Sequence, residues 1–173
     1  MKSVFLLTGP PGSGKTGLIK QAVARLKVKA GGFYTEEIKS QGVRQGFQLV
    51  TLEGETAVLS HINIKSPHRV SKYGVDIENL DRVGVAAIER AAKECELVVI
   101  DEIGKMELLS TRFREAVSNI LASGRRLLAT IMLSPDPYAD AIKSRPQVKL
   151  VTLTRSNYPQ VSAELQYWLN TGA

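Results

Sequence analysis

Apolar positions change their spacing several times along the chain, and each change predicts a different element. Val4 to Thr8 is a short apolar run, as a buried strand requires, and Gly9 to Gly14 reads as the loop after it. From Lys15 onward, Leu18, Ile19, Ala22, Val23 and Leu26 recur at helical spacing, which predicts a helix to Leu26. Residues 31–60 are rich in glycine, aromatic and β-branched residues with alternating polarity. They predict two or three antiparallel strands, with turns near Ser40-Gln41-Gly42 and Glu53-Gly54.

In the second half, Asp76 stands where a helix N-cap is expected, ahead of a largely helical stretch from Ile77 to Cys95. Leu97 to Ile100 is continuously apolar, as in a strand covered on both faces. Ser110 can cap a helix running to about Ala122, with Gly124 just past its end. Leu127 to Leu133 and Val148 to Leu153 are further strands, and Gln160 to Leu169 is a final helix. Alternation of strands and helices at this spacing predicts an α/β fold: a mostly parallel sheet carrying an antiparallel hairpin insert. With 173 residues and no linker or internal repeat, the expectation is one domain over residues 1–173.

Composition narrows the class without changing the picture. Apolar residues at 43% and charged residues at 23% are ordinary for a globular protein and argue against disorder or a coiled coil. A single cysteine, Cys95, leaves no intrachain disulfide and no cysteine-based zinc site, which favours a reducing setting. Val4 to Leu7 is too short for the apolar core of a signal peptide, and no run is long enough to span a membrane. The expected location is the cytoplasm, without membrane contact. Basic residues (23) outnumber acidic ones (17), which asks for anions. They are scattered, however, and a dispersed charge does not make a polynucleotide-binding stripe, so nucleic acid is the weaker candidate.

The stronger anion candidate is a triphosphate. Gly9-Pro10-Pro11-Gly12-Ser13-Gly14-Lys15-Thr16 fits G-x-x-x-x-G-K-[ST], and it lies between a predicted buried strand and a predicted helix. Glycines permit turns that aim successive backbone N–H groups inward at a helix N-terminus, where a phosphate can sit. Lys15 would reach the β- and γ-phosphates, and the Thr16 hydroxyl would ligate Mg²⁺. A plain turn before a helix would give no reason for Lys15-Thr16 at that place. A second stretch completes the constellation. Asp101 ends the apolar run Val98-Val99-Ile100 and can supply the carboxylate partner of the metal. Glu102 follows directly and can orient or deprotonate a water, although a structural salt bridge is the plainer alternative.

The chain resembles the thermostable and cancer-related nucleoside-triphosphatase family over almost its full length. The resemblance rests on the loop above, "GGFYTEE" (31–37), "RQGF" (44–47), "YGVDIENL" (73–80), "VVIDEIGKMEL" (98–108), "STRF" (110–113) and "LATI" (128–131). It implies a P-loop NTPase three-layer sandwich, RecA-like or kinase-like, and Mg²⁺-dependent hydrolysis of nucleoside triphosphates with little regard to base. By position it implies that Gly9 to Thr16 bind the triphosphate. Val98, Val99, Ile100, Asp101, Glu102, Ile103, Gly104 and Lys105 would form the second nucleotide-binding segment, with Thr16 and Asp101 at the metal. Two departures stand out. Gly17 occupies a place where many such loops carry a second hydroxyl, and Tyr158 ends Thr154-Arg155-Ser156-Asn157-Tyr158 where the family pattern has arginine.

Other residues carry weaker signals. Glu36 and Glu37 can line the cleft or an exposed hairpin, and Arg155 can substitute for the missing arginine or be solvated. Arg44, Arg112, Arg114 and Arg145 are unranked candidates for a charge-stabilising cation. His61 and His68 lack metal-ligand spacing, and Met106 reads as core packing. Two rival functions remain open at this stage. One is a small-molecule kinase using residues 33–59 as an acceptor pocket and 134–146 as a lid. The other is a nucleotide-dependent nucleic-acid module. A guanine-reading N-K-x-D pattern is missing, which disfavours a GTPase switch. Oligomeric state is not legible.

Overall fold

The computed structural model describes residues 1–172. Among them, nine strands form one sheet in the order β5-β6-β4-β3-β2-β7-β8-β1-β9. Five are parallel: β2 (Ala30–Ser40), β7 (Leu97–Ile103), β8 (Arg126–Ile131), β1 (Val4–Thr8) and β9 (Val148–Thr152). The remaining four extend the sheet as an antiparallel wing: β3 (Val43–Thr51), β4 (Thr56–His61), β5 (Arg69–Val70) and β6 (Tyr73–Val75).

The period of two along a strand explains why the central strands are apolar throughout. Val4 and Leu6 of β1 enter one core, while Phe5 and Leu7 enter the other. In the same way β7 sends Val98 and Ile100 to the first face, and Leu97 and Val99 to the second. The first core is covered by α3 (Ala86–Glu94), α4 (Thr111–Ser123) and α5 (Pro137–Lys143), through residues such as Ile88, Phe113, Val117 and Ile142. The second is covered by α1 (Lys15–Ala24) and α6 (Tyr158–Thr171), through Leu18, Ile19, Leu165 and Trp168. Trp168 packs its ring 5.5 Å from that of Phe5. The result is the three-layer α/β sandwich expected, with a mostly parallel sheet.

Local chemistry sets several boundaries. Asp76 accepts a hydrogen bond from the Asn79 N–H at 2.8 Å and starts α2 (Ile77–Asn79). The helical path then widens into a π-turn over Leu80–Val85 before α3. Ser110 accepts from the Phe113 N–H at 3.0 Å, and Gly124, with φ 72°, ends α4.

Four features differ from the sequence reading. β2 is not merely part of an insert: Ala30 to Phe33 pair in parallel with Leu97 to Ile100, and only from Phe33 onward does the strand turn into the hairpin with β3. Gly32, with φ 125°, makes this switch possible, because a Cβ there would collide with the Val99 carbonyl. β5 and β6 were not foreseen; they are too short to show a period. β7 continues to Ile103, three residues past the apolar run. Residues 134–146 are not a free lid, because α5 buries Ala139 and Ile142 in the first core.

Candidate active site

β1 delivers the chain to its C-terminal edge, where Gly9 to Gly14 turn into α1. Gly14, with φ 95°, is the N-cap, a conformation that a side chain would resist. The first α-helical bond of α1 runs from the Leu18 N–H to the Gly14 carbonyl at 2.9 Å. The N–H groups of residues 15–17 therefore keep no intrahelical partner and carry the positive end of the helix dipole. Lys15 Nζ donates to the carbonyls of Gly9 (2.8 Å) and Pro10 (3.1 Å), which holds the ammonium across its own loop.

β7 brings its carboxylates to the same place across the one intervening strand, β8. Ile100 pairs with Ala129 and Ile103 with Ile131, so three steps on β7 match two on β8. That extra residue breaks the register at Asp101-Glu102. In a regular strand these neighbours would point to opposite faces; here both line one cleft of about 570 Å³. Lys15, Thr16, Lys105 and Glu107 line it as well.

Asp101 is 2% exposed and held by hydroxyls on both oxygens. Thr16 donates to Oδ2 at 2.8 Å, and Thr130, at the end of β8, donates to Oδ1 at 2.7 Å. Burial still pushes the Asp101 carboxyl above its usual range, against the lowering by these donors. Among the described residues no cation pairs with it. A buried carboxylate beside a threonine hydroxyl, all hard oxygen donors, suits a small divalent cation that brings its remaining ligands from water and phosphate.

Glu102 is partly exposed at the cleft floor. Burial raises its carboxyl first and the Asp101 charge second, while Lys15 opposes both. Its side chain lies against Gly104, where a Cβ would collide with Oε1. Burial, with the Asp101 charge behind it, also pushes the Tyr34 phenol up to about 12.

Thus the structure gathers Gly9, Pro11, Gly12, Gly14, Lys15, Thr16, Asp101, Glu102 and Lys105 around one cleft. Pro10 is exposed in the same loop, and its carbonyl receives the Lys15 ammonium. Ser13 is buried in that loop, with its hydroxyl unpartnered. Val98, Val99 and Ile100 are placed differently: they are core residues of β7, at most 1% exposed, and their part is to position Asp101. Ile103 is buried too, and Gly104 makes room for Glu102.

Of the four candidate arginines, Arg44 lines the cleft, stacked over Phe47 and paired with Glu37 at 2.7 Å. Arg112 reaches toward Glu89 at 4.0 Å, Arg114 donates to the Leu108 carbonyl at 3.0 Å, and Arg145 is exposed. Glu37 lines the cleft, whereas Glu36 joins Lys20 of α1 at 2.7 Å. These pairings hold both carboxyls below the usual range, through Lys20 for Glu36 and through Lys39 first for Glu37. Met106 packs on the first core and also lines the cleft. His61 Nδ1 accepts from the Asn63 N–H at 3.1 Å, and Arg155 is exposed. Tyr158 lies beside Gly14 of the loop.

Among the cleft residues not singled out from the sequence is a buried acid: Glu107, 4% exposed, whose Oε2 has no hydrogen-bond partner among the described residues. The available signal was its place inside an apolar segment, Ile103-Gly104-Lys105-Met106-Glu107-Leu108-Leu109.

Known proteins place this geometry in context. A family model described as NTPase matches residues 4–165. The chain is 49% identical over 153 residues to a nucleoside-triphosphatase THEP1 of Thermotoga sp. (strain RQ2), covering 88% of this chain and 87% of that protein. It is 39% identical to the nucleoside-triphosphatase THEP1 of Methanocaldococcus jannaschii, covering 93% and 94%. Among solved structures, it is similar to the crystal structure of THEP1 from Aquifex aeolicus, at TM-score 0.89 and 34% identity over 96% and 98% of the two chains. It is similar also to the solution structure of a human cancer-related nucleoside triphosphatase, at TM-score 0.84 and 36% identity over the whole of both chains.

Proposed function

Because this chain belongs to the NTPase family, we propose that it hydrolyses nucleoside 5′-triphosphates to diphosphate and phosphate, with Mg²⁺ and with little base selectivity. The observation that carries the proposal is the 2.8 Å bond between Thr16 Oγ1 and Asp101 Oδ2, which joins the glycine-rich loop to the acidic end of β7. A triphosphate fits the free N–H groups at the start of α1, with the Lys15 ammonium against its β- and γ-oxygens. Thr16 and Asp101 would hold Mg²⁺, which when bound neutralises charge on those oxygens. Glu102 accepts a proton from the attacking water and orients it toward the terminal phosphorus. The raised affinity of Glu102 for protons suits that task, since a base works best with its pKa nearer the working pH.

The family match and the relatives named nucleoside-triphosphatase favour water as the acceptor over the kinase reading. Among the described residues no helix is long and apolar enough to cross a membrane. The one thiol, Cys95, is free and buried, which suits work in the reducing cytoplasm.

Phosphate release measured with ATP, GTP, CTP and UTP tests the reading. Turnover should need Mg²⁺ and stop on chelation. The four kcat/KM values should fall within ~100-fold, about 2.7 kcal/mol, because recognition is concentrated on phosphates. A wider spread would require buried hydrogen-bond readout of one base.

The Gly17 departure gives a gain-of-affinity prediction. A Cβ at Gly17 meets nothing within 4 Å, and the residue sits in the first turns of α1 on the cleft wall. Gly17→Ser should therefore stabilise the fold by about 0.5 kcal/mol, the difference in helix propensity. Its hydroxyl should lower KM a few-fold. An unchanged KM by steady-state kinetics would show that the hydroxyl does not meet phosphate.

A further inference from the structure

Thr130 is a polar side chain at a place where packing alone asks for an apolar one. It stands near the end of β8, between β7 and β1 in the sheet, and is 0% exposed. Leu128, two positions earlier, belongs to the second core, so the strand period turns Thr130 toward the layer of α1 as well. Valine has the same branched shape and would fill that place with no hydroxyl to satisfy. The Thr130 hydroxyl instead serves Asp101, donating to Oδ1 at 2.7 Å across 29 positions of sequence.

That bond has a mechanical consequence. The terminal torsion of an aspartate is broad, so a carboxylate held at one oxygen can still swing. Here both oxygens are held, Oδ2 by the Thr16 hydroxyl at 2.8 Å and Oδ1 by Thr130. The two hydroxyls differ in what else they can touch. Thr16 lines the cleft and can meet a ligand itself. Thr130 is not part of the cleft wall, and its strand is paired on both edges, to β1 and to β7. It is a rigid anchor that reaches the cleft only through Asp101.

Building on the Mg²⁺ site of the hydrolytic reading above, we propose that Thr130 is a positioning residue for the metal: its hydroxyl occupies Asp101 Oδ1 and keeps Oδ2, beside Thr16, as the one oxygen of that carboxylate left to face the cation. Mg²⁺ demands near-ideal octahedral geometry, so an oxygen that drifts holds it poorly. Losing the partner that orients a metal-holding group commonly costs about 10–100-fold in metal affinity.

Thr130→Val, Thr130→Ala and Thr130→Ser, compared with the parent, test the proposal. ATP binding is measured at equilibrium over a range of Mg²⁺ concentrations and again without divalent metal, beside the thermal midpoint. In Thr130→Val the Mg²⁺ needed for half-maximal enhancement of binding should rise about 10–100-fold. Its metal-free ATP affinity should stay within ~3-fold of the parent, because the loop and Lys15 are untouched. Thr130→Ser keeps the hydroxyl, so its Mg²⁺ requirement should stay within ~3-fold of the parent. Thr130→Ala repeats the test without a methyl facing Oδ1. A parent-like Mg²⁺ requirement in Thr130→Val or Thr130→Ala overturns the proposal. So does an equal rise in Thr130→Ser, which would trace the effect to packing. Weaker binding with and without metal alike, or failure of both hydroxyl-free variants to fold, makes Thr130 structural and overturns it too. ATP binding by the parent that ignores Mg²⁺ would instead sink the metal site itself, and phosphate release by the parent, followed alongside, tests the hydrolytic reading separately.

Discussion

Lys15→Ala is expected to lower nucleotide turnover by ~10²–10³ while leaving the fold almost untouched, an effect the size of removing one preorganised donor from an anion site. In the protein, Lys15 Nζ bonds the Gly9 and Pro10 carbonyls, one of these bonds at an exposed position and the other only partly buried. Water can replace the ammonium at both carbonyls, so stability should change by less than about 1 kcal/mol. No side chain of the core depends on it. The cation matters to a ligand: together with the N–H groups at the start of α1, it is the positive charge that the glycine-rich loop sets against phosphate. Parallel thermal melts and phosphate-release assays separate the two effects. Near-parent turnover in Lys15→Ala would show that the loop does not bind the reacting phosphates.

Much of this arrangement is legible in the sequence because it is written locally. The apolar run before Gly9, the glycines of the loop and the helical spacing after Lys15 each act within a few residues. Asp76, Ser110 and Gly124 form their caps where their types lead one to expect them. The run Leu97 to Ile100 likewise places Asp101 at a strand end.

What was not legible depends on distant chain. β2 is a core strand in its first half only because Gly32 lets it close on Val99, 67 positions later in the sequence, and nothing in residues 30–40 signals that partner. α5 is pinned by the burial of Ala139 and Ile142, whereas Pro137, Asp140 and Lys143 around them suggest a solvated segment. A glutamate is ordinarily exposed, so Glu107 drew no notice until the fold closed over it. Arg44 could not be told from three other arginines until the hairpin brought it to the cleft. The break in register at Asp101-Glu102, where both carboxylates line one cleft, arises between β7 and β8 and is invisible in either strand alone.

The two adjacent carboxylates should separate cleanly under mutation, because their surroundings differ. Asp101 is locked between Thr16 and Thr130 and almost wholly buried, as a metal-holding group should be. Glu102 is partly exposed at the cleft floor, with its affinity for protons raised by burial and by Asp101, as a base should be. Glu102→Gln keeps size and a hydrogen-bonding group but removes the basic oxygen. Mg²⁺–nucleotide affinity should then stay within a few-fold, since Lys15, Thr16 and Asp101 remain, while turnover falls by roughly 10²–10⁴. Asp101→Asn retains the shape between the two threonines yet removes the charge opposite the metal. It should weaken Mg²⁺-dependent binding at least ~10-fold as well as slowing the reaction, because an amide is a poor substitute for a carboxylate beside a hard cation. Equilibrium nucleotide binding at several Mg²⁺ concentrations, read beside single-turnover phosphate release, tells the two apart. If Glu102→Gln hydrolyses at nearly the parent rate, the water must be oriented by another group in the cleft, and the loop with Lys15, Thr16 and Asp101 would still stand as the phosphate and metal site.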